Sequence, residues 1–199
     1  MEKIKRVGVT GIFGSGKSTV TSIFKKYGIE VISCDEIVHF LLEKENIKKK
    51  LIKIFGKEIV KDGKIDRKKI SDIIFKNKLK KKELENLIHP LVFKEIDKKI
   101  KRDIDKIKKK GIIIVEIPLL FETKSEKKFD FILVVSASPE IIKERLKEKF
   151  SSKEVELRWR NQIPLIYKEK NANFVIDNSG TISQTEKIVK EIIKKIISQ

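Results

Sequence analysis

The chain has 199 residues, of which 40% are hydrophobic and 38% charged, and its formal net charge is +18 at pH 7. This length is typical of one α/β domain with a small insertion, and it is short for two independent domains. No apolar run approaches membrane-spanning length and no secretory apolar segment opens the chain, so we expect a cytoplasmic protein without a membrane partner. Cys34, the single cysteine, excludes an intramolecular disulfide.

The positive charge raises the question of nucleic-acid binding. The lysines mostly alternate with acidic residues and isoleucines, as in residues 98–107, which is the pattern of a solvated helix face above a buried apolar stripe. Aromatic residues do not interleave with the basic runs as a base-stacking surface requires. Specific nucleic-acid binding is therefore not expected.

The first predicted elements enclose a phosphate-binding loop. A β-branched strand at 6–10 precedes the loop, a helix at 19–27 follows it, and the residues between have the spacing Gly, four residues, Gly-Lys-Ser. Glycines let several backbone N–H groups converge on one phosphate at a helix N-terminus. We therefore predict a nucleoside triphosphate site whose ligands are Gly11, Gly14, Ser15, Gly16, Lys17, Ser18 and Thr19. Lys17 supplies positive charge to the β- and γ-phosphates, and Ser18 supplies a hydroxyl to Mg²⁺.

A second strand is predicted at 29–33, and Asp35 follows it directly. Ligands of open parallel sheets bind at the carboxyl ends of the strands, so Asp35 is predicted to face the bound phosphates. The alternative is that Asp35 caps the helix at 36–42, and the two roles are compatible.

The alternation of strand and helix breaks down over residues 43–110, which we interpret as a helical insertion. It is either the lobe that binds the acceptor substrate or an enlarged crossover. Helices are predicted at 47–55, 67–75 and 91–107, with a turn at Asp62 and Gly63. A further helix is expected to stop at His89 because Pro90 follows; a lone histidine is more often structural than catalytic.

The third strand is predicted at 112–116, with residues 118–122 continuing it. It ends at Glu116, whose carboxylate is placed to hold a magnesium-bound water or an acceptor hydroxyl, although a polar strand terminus is an alternative reading. A fourth strand is expected at 131–135. Pro139 is placed to begin the next helix, which spans 140–150 and carries Arg145.

Residues 145–163 are predicted to form a lid in which Arg145, Arg158 and Arg160 can neutralise charge during transfer. The last strand is predicted at 174–177 and the closing helix at 182–197. Asn178 lies between them, where it serves either as an ordinary turn residue or as a contact to a purine ring.

Together these segments resemble the dephospho-CoA kinase family over nearly the whole chain. The resemblance is carried by the phosphate loop, the Ser33-Cys34-Asp35 element, the Leu-Glu and His-Pro pairs at 84–85 and 89–90, the Pro-Leu-Leu-Phe-Glu run at 118–122, Arg158 with Gln162, and the Ile-Asp-Asn-Ser-Gly run at 176–180. The chain departs from the family pattern at Ile12, Phe13, Ser33, Glu116, Lys149 and Asn173. Ile12 and Phe13 are expected to crowd the loop.

The resemblance implies a three-layer α/β/α phosphate-loop kinase with a five-stranded parallel sheet, a helical insertion and a lid. It also implies Mg²⁺-dependent transfer of the ATP γ-phosphate to the ribose 3′-hydroxyl of dephospho-CoA, by a monomer or weak homo-oligomer. The implied catalytic residues are Asp35, Lys17 and Arg145. Arg145 and Asn178 join the ATP ligands, and the implied acceptor contacts are Asp35, His89, Glu116 and Arg158.

Two alternatives stay open at this point. Another phosphate-loop kinase could act on a nucleoside monophosphate or a shikimate-like alcohol, because this scaffold serves many acceptors. A nucleotide-dependent regulatory or RNA-binding protein is less favoured.

Overall fold

The computed structural model describes residues 4–199. They divide into two compact units, a sheet unit comprising residues 4–33 and 103–199 and a helical unit comprising Cys34–Arg102. The strands of the described residues are β1 (Lys5–Thr10), β2 (Glu30–Ser33), β3 (Val60–Lys61), β4 (Lys64–Ile65), β5 (Ile112–Glu116), β6 (Phe131–Ser136) and β7 (Phe174–Asp177). The α-helices are α1 (Lys17–Lys26), α2 (Cys34–Leu42), α3 (Glu45–Phe55), α4 (Arg67–Lys76), α5 (Lys78–Arg102), α6 (Ile104–Lys110), α7 (Pro139–Leu146), α8 (Ser152–Arg160), α9 (Leu165–Lys170) and α10 (Ile182–Ile197).

The sheet unit is built on five parallel strands in the order β2-β5-β1-β6-β7. The five strands predicted from the sequence are confirmed to within one residue at each end. The central strand β1 pairs Val9 with Glu116 on one side and with Leu133 on the other. Since all five strands run in the same direction, their carboxyl ends lie along one edge, and the loop after β1 begins at the middle of that edge.

Helices α1 and α10 pack together against one face of this sheet. Their apolar residues, among them Phe24 and Val189, are fully buried with strand residues such as Val9 and Leu133. Helix α9 contacts β6. The fold is α/β with helices packed on a five-stranded parallel sheet, as predicted.

Two predictions in the sheet unit need correction. Residues 118–122 do not continue β5 but form turns, in which the side chains of Leu120 and Phe121 are buried. The helix expected over 140–150 ends at Leu146, and residues of the predicted lid form the separate helix α8. Ser151 and Glu154 close a capping box at the start of α8, which explains why a new helix begins there.

The helical unit is organised around α5, which packs against α2, α3 and α4. The predicted stop at His89 is wrong, because α5 continues through Pro90. A proline inside a helix costs about 3 kcal/mol because it cannot donate the backbone hydrogen bond and its ring crowds the preceding turn. Burial of Ile88, Val92 and Ile96, spaced four apart on one face, offsets that cost.

The turn predicted at Asp62 and Gly63 is confirmed as the connection between β3 and β4. Both residues have positive φ angles, 49° and 76°, as the tight two-residue hairpin requires. The helix predicted over 91–107 is interrupted, since α5 ends at Arg102 and α6 begins at Ile104. Among the described residues, no helix combines the length and apolarity needed to cross a bilayer.

Candidate active site

The loop between β1 and α1 has the backbone of a phosphate cradle. Gly16 adopts a left-handed conformation, with φ 87° and ψ 31°, immediately before α1, and as the cap residue it supplies no side-chain hydrogen bond to this helix end. The first N–H groups of a helix lack intrahelical partners and carry the positive end of its dipole, so this end favours an anion. Gly11 is needed for a different reason, because a Cβ atom there would collide with the carbonyl oxygen of Val135.

Lys17, the first residue of α1, folds back over the loop. Its Nζ atom donates hydrogen bonds to the carbonyl oxygens of Gly11 at 3.2 Å and Ile12 at 3.0 Å. The loop therefore holds the ammonium group beside its own main chain. This is the group that the sequence assigned to the β- and γ-phosphates.

Asn178 is buried behind the loop. Its Nδ2 atom donates to the carbonyl oxygen of Ser15 at 3.0 Å, and its Oδ1 atom accepts from Thr185 Oγ1 at 3.0 Å. Arg145 Nη2 donates to the Asn178 carbonyl oxygen at 2.7 Å. The Asn178 amide is thus engaged at both ends, with the phosphate loop through Nδ2 and with α10 through Oδ1. Its predicted contact with a purine ring stays a prediction.

Arg145 reaches the phosphate loop from α7. In addition to its bond to Asn178, its guanidinium lies close to Gly16, with Nη1 3.7 Å from the position that a Cβ atom would occupy there. The structure thus brings together Lys17, Arg145 and the N-terminus of α1. Three positive elements at one loop can stabilise the charge of a triphosphate.

Ser15 is fully buried, and its hydroxyl has no hydrogen-bond partner among the described residues. An unpaired buried hydroxyl costs about 1–3 kcal/mol. In this conformation the hydroxyl is inaccessible to solvent, so its predicted contact with phosphate remains a prediction for the nucleotide-bound form.

Glu116 lies at the end of β5, beside the first turns of α1. Its Oε2 atom accepts a hydrogen bond from Thr21 Oγ1 at 3.2 Å, and the same hydroxyl lies 3.2 Å from the carbonyl oxygen of Ser18. The Thr21 hydroxyl thus connects the Glu116 carboxylate with the backbone of Ser18, whose side chain is exposed. A serine hydroxyl and a carboxylate are the hard oxygen donors that Mg²⁺ prefers, so these residues fit a magnesium ion.

The expected crowding of the loop by Ile12 and Phe13 stays a prediction, and the structure shows where the two side chains pack. Ile12 is buried in an apolar cluster with Ile142 of α7 and Val155 of α8, and Phe13 packs at the edge of this cluster. Arg158 lies over the Phe13 ring, with Cζ 4.7 Å from the ring centroid. These two loop residues thus attach the predicted lid to the phosphate loop.

The buried ion pair of Glu122 and Lys168 was not predicted from the sequence. Lys168 is fully buried, and its Nζ atom lies 2.8 Å from Glu122 Oε1, although the approach is too poorly aligned for a hydrogen bond. Glu122 Oε1 also accepts from the backbone N–H of Ile163 at 2.9 Å. The sequence of the short helix α9, Leu-Ile-Tyr-Lys-Glu-Lys, gave no signal of this role. The pair fastens the end of the lid segment.

Known proteins resemble this chain both in sequence and in fold. Residues 5–184 match the family model described as dephospho-CoA kinase. A dephospho-CoA kinase of Aquifex aeolicus is 39% identical over 196 residues, covering 97% of this chain and 98% of that protein. A solved structure from Thermus thermophilus superposes with a TM-score of 0.86 at 30% identity, covering 98% of both chains. Dephospho-CoA kinase from Campylobacter jejuni superposes with a TM-score of 0.69 at 31% identity, covering 96% of both chains.

The chain belongs to the dephospho-CoA kinase family. The family motifs recognised in the sequence divide between the two units: the phosphate loop, Glu116, Arg145, Arg158 and Asn178 lie in the sheet unit, and Asp35 and His89 lie in the helical unit.

Within the helical unit of this dephospho-CoA kinase homologue, Asp35 is exposed in the first turn of α2. The reading of Asp35 as the helix cap is wrong, because α2 already begins at Cys34. A negatively charged side chain in the first turn of a helix lies at the positive end of the helix dipole.

His89 lies on α5 and is partly buried. Burial lowers the pKa of its imidazole below the ordinary value of 6.5, and the nearby Glu85 carboxylate opposes this effect only in part. The ring is therefore neutral at pH 7, and a neutral imidazole can both donate and accept a hydrogen bond.

The helical unit also has a pocket of about 360 Å³. Its lining residues are His39, Leu42, Glu43, Glu45, Lys48, Gly63, Lys64, Ile65 and Arg67. Arg67 Nη1 lies 2.9 Å from His39 Nδ1, so the arginine donates to the imidazole and is oriented by it. The sequence reading did not single out Arg67.

Proposed function

We propose that this protein transfers the γ-phosphate of ATP to the ribose 3′-hydroxyl of dephospho-CoA, giving CoA and ADP. The observation that carries the proposal is the uncapped N-terminus of α1 behind the left-handed Gly16, with Lys17 and Arg145 beside it, in a chain of the dephospho-CoA kinase family. The family match favours this acceptor over a nucleoside monophosphate or shikimate.

The triphosphate binds along the loop from Gly11 to Thr19. Backbone N–H groups of the loop and of the first turn of α1 donate to the phosphate oxygens. Lys17 exchanges its contacts with loop carbonyls for the β- and γ-phosphates, and Arg145 neutralises charge on the transferred group. Phosphoryl transfer passes through a loose transition state, so catalysis depends mainly on positioning and on electrostatic stabilisation.

Ser18 and Glu116 would hold a magnesium ion at this site. When bound, it neutralises negative charge on the phosphates. The chain's own contribution is the Thr21 hydroxyl, which contacts both the Ser18 carbonyl oxygen and the Glu116 carboxylate. We propose Ser18 as its direct protein ligand.

Asp35 is proposed to orient the acceptor hydroxyl and to accept its proton. Support comes from its match to the second aspartate of the family's Asp-Ala-Asp element, its exposure, and its place two residues after β2. His89, Glu116 and Arg158 are proposed as further acceptor contacts, Arg158 from the lid.

We further propose that Arg67 and Lys48 in the pocket of the helical unit pair with the diphosphate of dephospho-CoA. Arg67, which His39 orients, and Lys48, which is paired with Glu45, offer the charge and the donors that a diphosphate requires. Arg67→Ala is expected to raise the KM for dephospho-CoA while leaving the KM for ATP unchanged.

The acceptor is tested by phosphotransfer assays with dephospho-CoA, nucleoside monophosphates and shikimate as separate substrates. Of these three kinds of acceptor, we expect only dephospho-CoA to be phosphorylated. Asp35→Asn should retain ATP affinity and lose turnover, whereas Glu36→Gln, at the exposed neighbouring position, should behave as wild type. Unchanged turnover in Asp35→Asn would remove Asp35 from the mechanism.

For partners, we propose ATP and dephospho-CoA in the cytoplasm, with no specific nucleic acid and a monomer or weak homo-oligomer in solution. The alternation of lysine with acidic and apolar residues supports this reading of the charge. A salt-sensitive RNA complex of micromolar or better affinity would contradict it.

A further inference from the structure

Side chains of the lid segment form hydrogen bonds with the main chain of Phe13 in the phosphate loop. Its backbone N–H donates to Gln162 Oε1 at 2.8 Å. Its carbonyl oxygen accepts from Trp159 Nε1 at 2.9 Å. Both polar groups of one loop residue are thus satisfied by residues almost 150 positions away in the chain.

The Phe13 ring is held at the same place. It meets the Phe150 ring edge-on, with centroids 5.2 Å apart. The Arg158 guanidinium lies over both rings, 4.7 Å from the Phe13 centroid and 4.9 Å from that of Phe150. Arg158 is therefore placed by Phe13, one residue along α8 from the indole that holds the Phe13 carbonyl.

The bond from Trp159 has a consequence for Gly14. A trans peptide is planar, so its C=O and N–H groups point in opposite directions. The described residues contain no cis peptide bond. Fixing the Phe13 carbonyl toward Trp159 therefore turns the N–H of Gly14 away from the lid helix. Across residues 4–199 that N–H donates no hydrogen bond within the protein, which leaves it for a ligand.

The same device recurs two residues later. Asn178 holds the Ser15 carbonyl, and this turns the N–H of Gly16 in the opposite direction. Alternate carbonyls of the loop are thus held by two side chains, one from the lid and one from the end of β7. The Asn178 contact serves as an internal precedent for the role of Trp159.

We propose that Trp159, assisted by Gln162, is a positioning residue for ATP: it fixes the Phe13–Gly14 peptide so that the Gly14 N–H is presented to the triphosphate. This inference rests on the proposed ATP site and adds to it a residue that touches neither substrate. It also gives a function to Phe13, whose ring places Arg158 and whose main chain receives the lid.

The deciding variant is Trp159→Phe, which keeps an aromatic ring and removes the N–H donor. Binding of ATP is measured by titration calorimetry without acceptor, and KM values are measured for ATP and for dephospho-CoA. Loss of one neutral hydrogen bond is expected to raise the ATP Kd about threefold to tenfold. The KM for ATP should rise in parallel, while the KM for dephospho-CoA stays unchanged. If Trp159→Phe does not fold, Gln162→Leu replaces it, with the same expectation.

Leu157→Ala is the matched control, because Leu157 is 56% exposed on the same helix. It should leave the ATP Kd and both KM values at wild-type levels. An ATP Kd within twofold of wild type in the deciding variant would overturn the inference, as would equal losses for ATP and dephospho-CoA, which indicate general damage. If the wild-type protein itself binds no ATP, the proposed function fails instead, so the two failures are distinct.

Discussion

The side-chain amide of Asn178 and the carbonyl oxygen of Ser15 are joined by a buried hydrogen bond of 3.0 Å. The other end of the same amide accepts a hydrogen bond from Thr185 on α10. Asn178 therefore links the phosphate loop, which follows the first strand, to the closing helix. Because this bond is buried, no water can replace it, and the loop conformation depends on it.

Asn178→Asp should weaken ATP binding about tenfold and lower the free energy of unfolding by about 1–3 kcal/mol. A carboxylate can still accept from Thr185, but it cannot donate to the Ser15 carbonyl and it adds negative charge beside the loop. Titration calorimetry with ATP measures the change in affinity, and urea unfolding measures the change in the free energy of unfolding. Asn171→Asp is the control, because the Asn171 amide donates to a backbone carbonyl at an exposed position. Equal behaviour of the two variants would contradict the assignment.

Gly16→Ala and Gly63→Ala separate backbone strain from a collision. Both glycines have positive φ, 87° and 76°, so alanine at either position costs about 1–2 kcal/mol. A Cβ atom at Gly63 meets nothing within 4 Å, whereas at Gly16 it would collide with Nδ2 of Asn178. Gly63→Ala should show only the backbone cost and retain ATP binding. Gly16→Ala should be less stable and should lose ATP binding by at least tenfold. Wild-type ATP affinity in Gly16→Ala would refute the loop geometry.

Lys168→Met should lower the free energy of unfolding by about 3 kcal/mol, because it leaves the Glu122 carboxylate unpaired in a largely buried position. Adding Glu122→Gln to this variant removes the charge and should restore most of the loss. Urea denaturation of the two variants measures both steps. Lys170→Met, at an exposed position of the same helix, should change stability by less than about 0.5 kcal/mol. No recovery in the double variant would show that the ion pair is not what the lysine provides.

His89 should make the helical unit less stable in mild acid. Its pKa is lowered in the folded state by burial, so the unfolded chain binds a proton more readily. The stability contributed by the neutral ring is complete above the ordinary pKa of 6.5 and is lost as the pH falls toward the folded-state pKa. Urea unfolding at pH 7.5 and at pH 5.5 measures how much the free energy of unfolding falls between the two. This fall should be smaller for His89→Gln than for the wild type. Identical losses would contradict this expectation.

The strands were predictable because their signal is local. The run Ile112–Glu116 is four apolar β-branched residues followed by a carboxylate, and the structure forms a strand over these residues, without the predicted continuation over 118–122. The phosphate loop was equally readable, since its spacing and its flanking strand and helix lie within about 20 residues of sequence. The continuation of α5 through Pro90 could not be predicted from local sequence. The local rule ends the helix at His89, but burial of Ile88 and Val92 in the helical unit outweighs it.

Contacts between distant residues were beyond the sequence. The bond between Phe13 and Trp159 spans 146 positions, and nothing in either segment indicates the other. Asn178 was read as a turn residue or a purine contact, whereas its amide holds the Ser15 carbonyl. The residues of the candidate site were recognised from their motifs, but the supports that hold those residues required the structure.

The most direct test of the central claim is formation of CoA from dephospho-CoA and MgATP, followed by mass spectrometry with assignment of the phosphorylated hydroxyl. The wild-type protein should phosphorylate the ribose 3′-hydroxyl with stoichiometric release of ADP, and Lys17→Ala should lower kcat/KM by roughly 100-fold or more. Absence of 3′-phosphorylated product with the wild-type protein, or undiminished turnover in Lys17→Ala, would contradict the account.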